Sequence, residues 1–363
     1  MTVEEQVREL DAQVKRESGR RSRRSFLVAA AAAAGGYSFY RWIDRSPGDQ
    51  LIPRPLRKAL NLNEAVTRTV FDERGLSPTY PLARAEELRV NGIYGLKEEL
   101  VPESYRLQMV GVEQEKRFPQ YVGDVTAWEY KYAAGAGAAG KEDAGKDNAS
   151  SGNHDTKVAP KAEGAEGTAG SGANGPADAA PKMSPAFEAA FAALKKSQGS
   201  KRPRGQEEAG ESDNTLDAGT PGLLLKLEDV TRFPHQELVT QFKCIEGWSQ
   251  VVHWGGVRLA DLIAAYPPAK KADGSLPKYV YMETPDGDYY CGFDLKVCMH
   301  PQSLLVTEMA GQQLTQAHGA PLRLHMPIKY GYKQIKRIGL IAYTDEKPDD
   351  YWTKLGYDWY AGL

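Results

Sequence analysis

A thiol, a carboxylate and an indole fall close together in Cys244-Ile245-Glu246-Gly247-Trp248-Ser249. A thiolate where a strand ends and the chain turns can reach a soft metal. Taken alone, a cysteine after a strand is ordinarily a small buried hydrophobe. Two further patches change that balance. His318-Gly319-Ala320-Pro321-Leu322-Arg323 leads into a basic loop from Lys329 to Arg337. Arginine is a forked donor for phosphate, and backbone N–H groups beside glycine bind anions. By itself that loop reads as a solvated, charged hairpin face. Asn91 and Tyr94 sit in a glycine-punctuated loop, and Glu283-Thr284-Pro285-Asp286-Gly287 closes a strand. A thiolate combined with a remote phosphate cradle suits a metal cofactor that carries an organic phosphate tail.

These residues need strands and turns to hold them. Short runs rich in aliphatic and aromatic residues, bounded by Gly, Pro or Asp, mark strands at 105–111, 124–132, 237–242, 279–284, 304–309, 322–326 and 338–343. Residues 259–266 read as a helix. Helical patterns are fewer, which points to an α+β fold with mixed or antiparallel sheets rather than doubly wound α/β. No Gly-x-Gly-x-x-Gly or Walker A pattern supports dinucleotide or P-loop chemistry.

The 363 residues carry a net charge of −2, so no basic excess argues for nucleic acid. No run of 18 or more apolar residues marks a spanning helix. Residues 1–45 read as an address: Ser22-Arg23-Arg24-Ser25-Phe26-Leu27 precedes an alanine-rich stretch. Residues 46–87 read as a linker and lead-in with helical patches such as Pro55–Asn61. Residues 133–220 are rich in Gly, Ala and charge, and bury too little apolar surface to offset ordering entropy, so they read as a disordered insertion. Within it, Ser184–Lys196 has a helical apolar face at Phe187, Phe191 and Leu194. Residues 88–132 and 221–363 carry the strand signals.

With these motifs in this order, the chain resembles the sulfite-oxidase-type molybdopterin-binding oxidoreductase family. It is most similar to the bacterial, twin-arginine-exported branch that includes periplasmic methionine-sulfoxide reductases. The resemblance spans residues 88–132 and 221–363, and over that span it implies a catalytic domain. The resemblance implies that Cys244 is the catalytic thiolate and the protein's ligand to molybdenum, with molybdenum-molybdopterin as cofactor. It implies cofactor contacts from Asn91, Tyr94, Thr284, His318 and Arg323, and a phosphate clamp at Gln334, Ile335 and Lys336. It implies export to the periplasm, with an uncleaved N-terminal segment available as an inner-membrane anchor. The implied partners are the twin-arginine export machinery, a membrane haem or quinol-linked electron-transfer subunit, and a small-molecule or protein-bound sulfoxide as substrate. The chain ends soon after Lys336, so a single catalytic domain without an Ig-like dimerisation domain is expected.

The expected reaction is oxygen-atom transfer that reduces sulfoxides. Oxidation of sulfite or a related small anion is the enzymatic alternative, weakened by the acid Glu246 beside Cys244. A non-catalytic exported scaffold subunit is the alternative from another class. Cys291 and Cys298 are compatible either with a disulfide in an oxidising compartment or with two buried free thiols.

Overall fold

The computed structural model describes residues 28–49, 51–92, 94–133 and 209–363. Arg23, Arg24 and the expected Ser184–Lys196 helix lie outside the described residues. A helix, α1, runs over 28–45, and no helix among the described residues is long and apolar enough to cross a membrane. A small hairpin, β1 (Gly48–Asp49) and β2 (Ile52–Pro53), leads into α2 (Arg54–Val70). The strands that follow are β3 (Leu107–Val110), β4 (Tyr121–Val122), β5 (Gly222–Leu225), β6 (His235–Lys243) and β7 (Ser249–Arg258). Next come β8 (Tyr279–Glu283), β9 (Tyr290–Asp294), β10 (Leu304–Met309), β11 (Gln312–Gln313), β12 (Arg323–His325) and β13 (Leu340–Thr344).

Two sheets organise them. One has the order β11-β10-β7-β6, with β12 also paired to β10; the other has the order β4-β5-β3-β13-β8-β9. The β3–β13 pair is parallel, while β13–β8 and β6–β7 are antiparallel. This is the expected α+β architecture with mixed sheets. The larger core includes Leu107, Met109, Leu223, Val280, Leu324 and Ile341. A smaller core of Leu88, Phe242, Val252, Trp254, Leu304 and Val306 packs against Cys244 and Trp248, and so underlies the site.

Four sequence expectations need correction. Residues 46–87 are not merely a linker: α2 is 17 residues long, and its Arg57 and Arg68 bond to Thr353 and Asp294 of the domain. Residues 124–132 form no strand. Asp124 accepts from the Thr126 amide in a local turn, and the aromatic side chains at 128, 130 and 132 imitate strand alternation. The insertion is shorter than 133–220 at its far end, because Ala209 and Ser212 are buried and the Asn214 side chain accepts from the Asp349 amide. Finally, a full strand, β7, lies between the Cys244 turn and the helix Leu259–Ala265. Nearly every residue of β7 is buried on both faces, so it shows no alternation. At Gly256 a Cβ would run into the Leu305 carbonyl oxygen of β10, and only glycine admits that approach. Cys291 and Cys298 are buried free thiols.

Candidate functional site

Cys244 stands at the tip of the β6–β7 hairpin. The last strand pair is Lys243–Ser249, and the loop closes through Cys244 N–H to Trp248 O (2.9 Å) and Gly247 N–H to Cys244 O (3.2 Å). Gly247 takes φ +92°, a left-handed turn conformation that glycine adopts without strain. Phe242 and Trp248 stack at 5.8 Å beneath the tip. The half-buried thiol faces one carboxylate: Glu246 Oε2 lies 3.8 Å from Sγ and accepts from Trp248 Nε1 (3.0 Å) and Asn91 Nδ2 (3.3 Å). Asn91 Nδ2 also approaches Sγ at 3.6 Å. Burial raises the Cys244 pKa, the nearby Glu246 charge adds to the rise, and the Asn91 hydrogen bond opposes it. The free thiol is therefore protonated near neutrality, and binding a metal would displace that proton. Among the described residues, no group of three or more His, Cys, Asp or Glu is placed to hold a metal ion. Cys244 offers a metal a thiolate donor, with the Glu246 carboxylate beside it.

The Asn91 loop is fixed from three sides. Lys336 Nζ donates to Asn91 O (2.6 Å) and Gly92 O (2.9 Å). Thr284 packs against Gly95, where a Cβ would collide with the Thr284 side chain. The Thr284 hydroxyl in turn donates to Asp286 Oδ1 (2.6 Å) and accepts from the Tyr289 amide (3.1 Å). Tyr94 lies among aromatic rings, 5.1 Å from Tyr351 and 5.5 Å from Trp352. Tyr351 and Trp352, close to the C-terminal end, therefore also brace this loop. Thr284 and Tyr94 support the loop from beneath, whereas Asn91 reaches Cys244.

A second cluster is strongly basic. Arg323 on β12 is fully buried. Its Nη1 donates to His318 O (3.0 Å), its guanidinium lies 4.9 Å over the Trp254 ring, and its Nε has no partner. Trp254 is stacked in turn on His325 at 4.6 Å. His318 Nδ1 is likewise buried without a partner. Burial without a compensating acid brings the Arg323 pKa down to about 10. It also lowers His318, which the Arg323 and Lys336 charges depress further. Gly319 (φ +95°) brings the His318 turn against the backbone of Lys336 and Arg337, closer than a Cβ would allow. His318, Arg323 and Lys336 thus converge around donors that lack an acceptor. Buried cations persist at low cost only when paired, so the cluster is built for an anion.

Lys336 links this cluster to the hairpin. Burial lowers its pKa to about 7, the Arg323 charge contributes, and Cys244 pulls in the opposite sense. In the unfolded chain the group has its ordinary pKa near 10.5. Between about pH 7 and 10.5 the unfolded state therefore holds a proton that the folded state has released. Stability linked to Lys336 rises with pH across that window and is lost as pH falls to about 7. We expect the excess stability of a cofactor-free Lys336→Met variant over the wild type to shrink from pH 7 to 10 in thermal melts. A pH-independent difference would contradict the burial of this amine. Anion binding would restore the charged form, so it would take up a proton near neutrality.

The other expected clamp residues do not face this cluster. Gln334 Oε1 accepts from His325 Nδ1 (2.7 Å), and its amide nitrogen donates to Met326 O and Lys329 O. Ile335 lies in the core, and the Gln334 and Ile335 amides bond to Gly331 O and Lys333 O. Of the three, Lys336 alone is positioned beside the Asn91 loop. Three nearby arginines in the sequence, Arg232, Arg258 and Arg337, are engaged with Tyr266, Asp261 and Gln316. Sequence reasoning missed Trp254 as the stacking partner of Arg323. Its only signal was adjacency to the two glycines of β7.

Comparison with known proteins gives a domain match and several relatives. Residues 218–352 match the family model described as "Oxidoreductase molybdopterin binding domain". The chain is 36% identical over 160 residues to the protein-methionine-sulfoxide reductase catalytic subunit MsrP of Campylobacter jejuni, covering 39% of this chain and 52% of that protein. It is 34% identical over 144 residues to the MsrP of Xanthomonas axonopodis pv. citri, covering 37% of this chain and 45% of the relative. The chain thus spans about half the length of the curated relatives it matches. The unpartnered donors of Arg323 and His318 suit the phosphate of a molybdopterin, and Cys244 suits a single thiolate donor to its metal. Over residues 218–352 the chain is thus similar to the oxidoreductase molybdopterin-binding domains.

Proposed function

We propose that this chain is an oxidoreductase that reduces sulfoxides, such as free or protein-bound methionine sulfoxide, by oxygen-atom transfer. Overall, the sulfoxide takes up two protons and two electrons, its sulfur–oxygen bond breaks, and a sulfide and one water leave. When bound, the molybdopterin supplies a metal able to accept the oxygen atom and change oxidation state by two electrons. The chain's own groups do the rest. Cys244 provides the thiolate donor. His318, Arg323 and Lys336 would hold the phosphate, while Lys336 ties the Asn91 loop over the hairpin. Trp248 and Asn91 hold the Glu246 carboxylate in place by hydrogen bonds.

The observation that carries the choice of substrate is Glu246 Oε2, 3.8 Å from the Cys244 sulfur. A carboxylate there repels an anion such as sulfite and leaves a neutral sulfoxide unaffected. The names of the relatives support the same reading. The test uses purified holoenzyme with an artificial dye. Methionine sulfoxide should oxidise reduced dye, and sulfite should fail to reduce oxidised dye. Glu246→Gln should keep cofactor content and gain measurable sulfite turnover. Sulfite turnover in the wild type that exceeds sulfoxide turnover would refute the reading.

We further propose that the chain is exported to the periplasm through the Arg23-Arg24 motif and receives electrons from a membrane haem or quinol-linked subunit. The support is the motif itself and the need for an external electron source. Arg23→Lys together with Arg24→Lys should strand folded protein in the cytoplasm, as fractionation would report. Unchanged location would remove the motif from the account.

A further inference from the structure

The lead-in helix α2 exposes an apolar row that an ordinary surface helix would bury. Its inward contacts are mainly polar, with Leu56 and Leu60 half-buried beside them. Arg57 donates to Thr353 O (2.8 Å), Glu64 pairs with Lys347 (2.8 Å), and Arg68 pairs with Asp294 (2.7 Å) while lying 4.4 Å over the Tyr360 ring. Its outward face carries an apolar row, flanked by the exposed Asn61, Asn63 and Thr69. Leu62, Val66 and Val70, spaced four residues apart, are 67%, 53% and 81% exposed. Scattered exposed apolar residues are normal, but an aligned stripe is not.

The charges on the outward face are of one sign. Arg54 and Lys58 are exposed and continue the same four-residue row, whereas the helix's only acid, Glu64, faces inward and is paired. Just upstream, the last turns of α1 expose Tyr37, Phe39 and Trp42. That end also holds Arg41, paired with Asp44, and Arg45. Exposed Tyr and Trp beside Arg, followed by a helix with a cationic first half and an apolar outer row, is the chemistry of a helix lying in a lipid headgroup layer. A soluble partner would not require charges of a single sign, and an anionic surface does.

We propose that the outward face of α2, continuous with the aromatic end of α1, rests on an anionic lipid surface. Leu62, Val66 and Val70 enter the headgroup region, and Arg54 and Lys58 meet lipid phosphates. This contact is distinct from the export motif, and it stands or falls independently of the substrate.

The test uses the full-length holoenzyme and flotation with vesicles of phosphatidylcholine alone or mixed with phosphatidylglycerol. Wild type should float with the anionic vesicles, and less so as salt rises. Leu62→Glu together with Val66→Glu should lower its partitioning by about tenfold or more, since each buried aliphatic side chain is worth over 1 kcal/mol. Melting temperature, molybdenum content and dye-linked turnover should stay unchanged, because both side chains point to solvent. Equal partitioning of wild type and variant would overturn the proposal, as would failure of the wild type to bind. A lipid-free dimer of the wild type that the variant loses, seen by light scattering, would assign the stripe to a second copy of the chain instead.

Discussion

Cys244→Ser is expected to reduce dye-linked sulfoxide reduction to background while leaving the fold intact. The thiol is half-buried at a hairpin tip and touches a small core only at its edge. Losing one sulfur there removes little packing, so the melting temperature of the cofactor-free protein should move by no more than a few degrees. The donors placed for the phosphate sit on other elements: His318 ends a turn, Arg323 is on β12, and Lys336 precedes β13. The variant should therefore retain pterin but present a metal with one sulfur donor fewer, visible by X-ray absorption at the molybdenum edge. A variant that keeps its activity would exclude Cys244 as the ligand. A variant that fails to fold would assign the residue to packing.

The second large effect has two opposite signs. Arg323→Met should abolish cofactor retention and at the same time stabilise the cofactor-free protein. The guanidinium is fully buried, has no acid beside it, and leaves Nε without a partner. A lone buried charge costs several kcal/mol, and its replacement by a similarly sized apolar chain should return about 1–4 kcal/mol. For a domain of this size that corresponds to a rise of several degrees in melting temperature. Methionine can still cover the Trp254 face. An arginine that served only the fold would behave differently: its loss would lower stability and cofactor content together. That outcome would contradict an anion cradle.

Much of the site was legible because its chemistry is local in sequence. Cys244, Glu246 and Trp248 lie on one turn, and His318 and Arg323 belong to another. What placed them was less legible. β7 escaped notice because it is buried on both faces, so alternation does not mark it, and its two glycines interrupt an otherwise strand-forming run of Val and Trp. α2 was legible only as a helical patch at Pro55–Asn61; its full length and docking were not, since its contact with the domain runs mainly through Arg57, Glu64 and Arg68. Gln334 and Ile335 show the limit of reasoning by neighbours. They adjoin Lys336 in sequence, yet one side chain is used up on His325 and the other lies in the core. Trp254 became meaningful only once the fold stacked it between Arg323 and His325.

The central claim is that the Cys244 hairpin and the His318–Arg323–Lys336 cluster together hold one molybdopterin with its metal. The most direct test measures molybdenum by mass spectrometry, and pterin by fluorescence after oxidation, in wild-type protein purified from a molybdenum-replete host. Both should be present at one per chain, and both should disappear in Arg323→Met while pterin persists in Cys244→Ser. Folded wild-type protein that carries neither molybdenum nor pterin under those conditions would contradict the account.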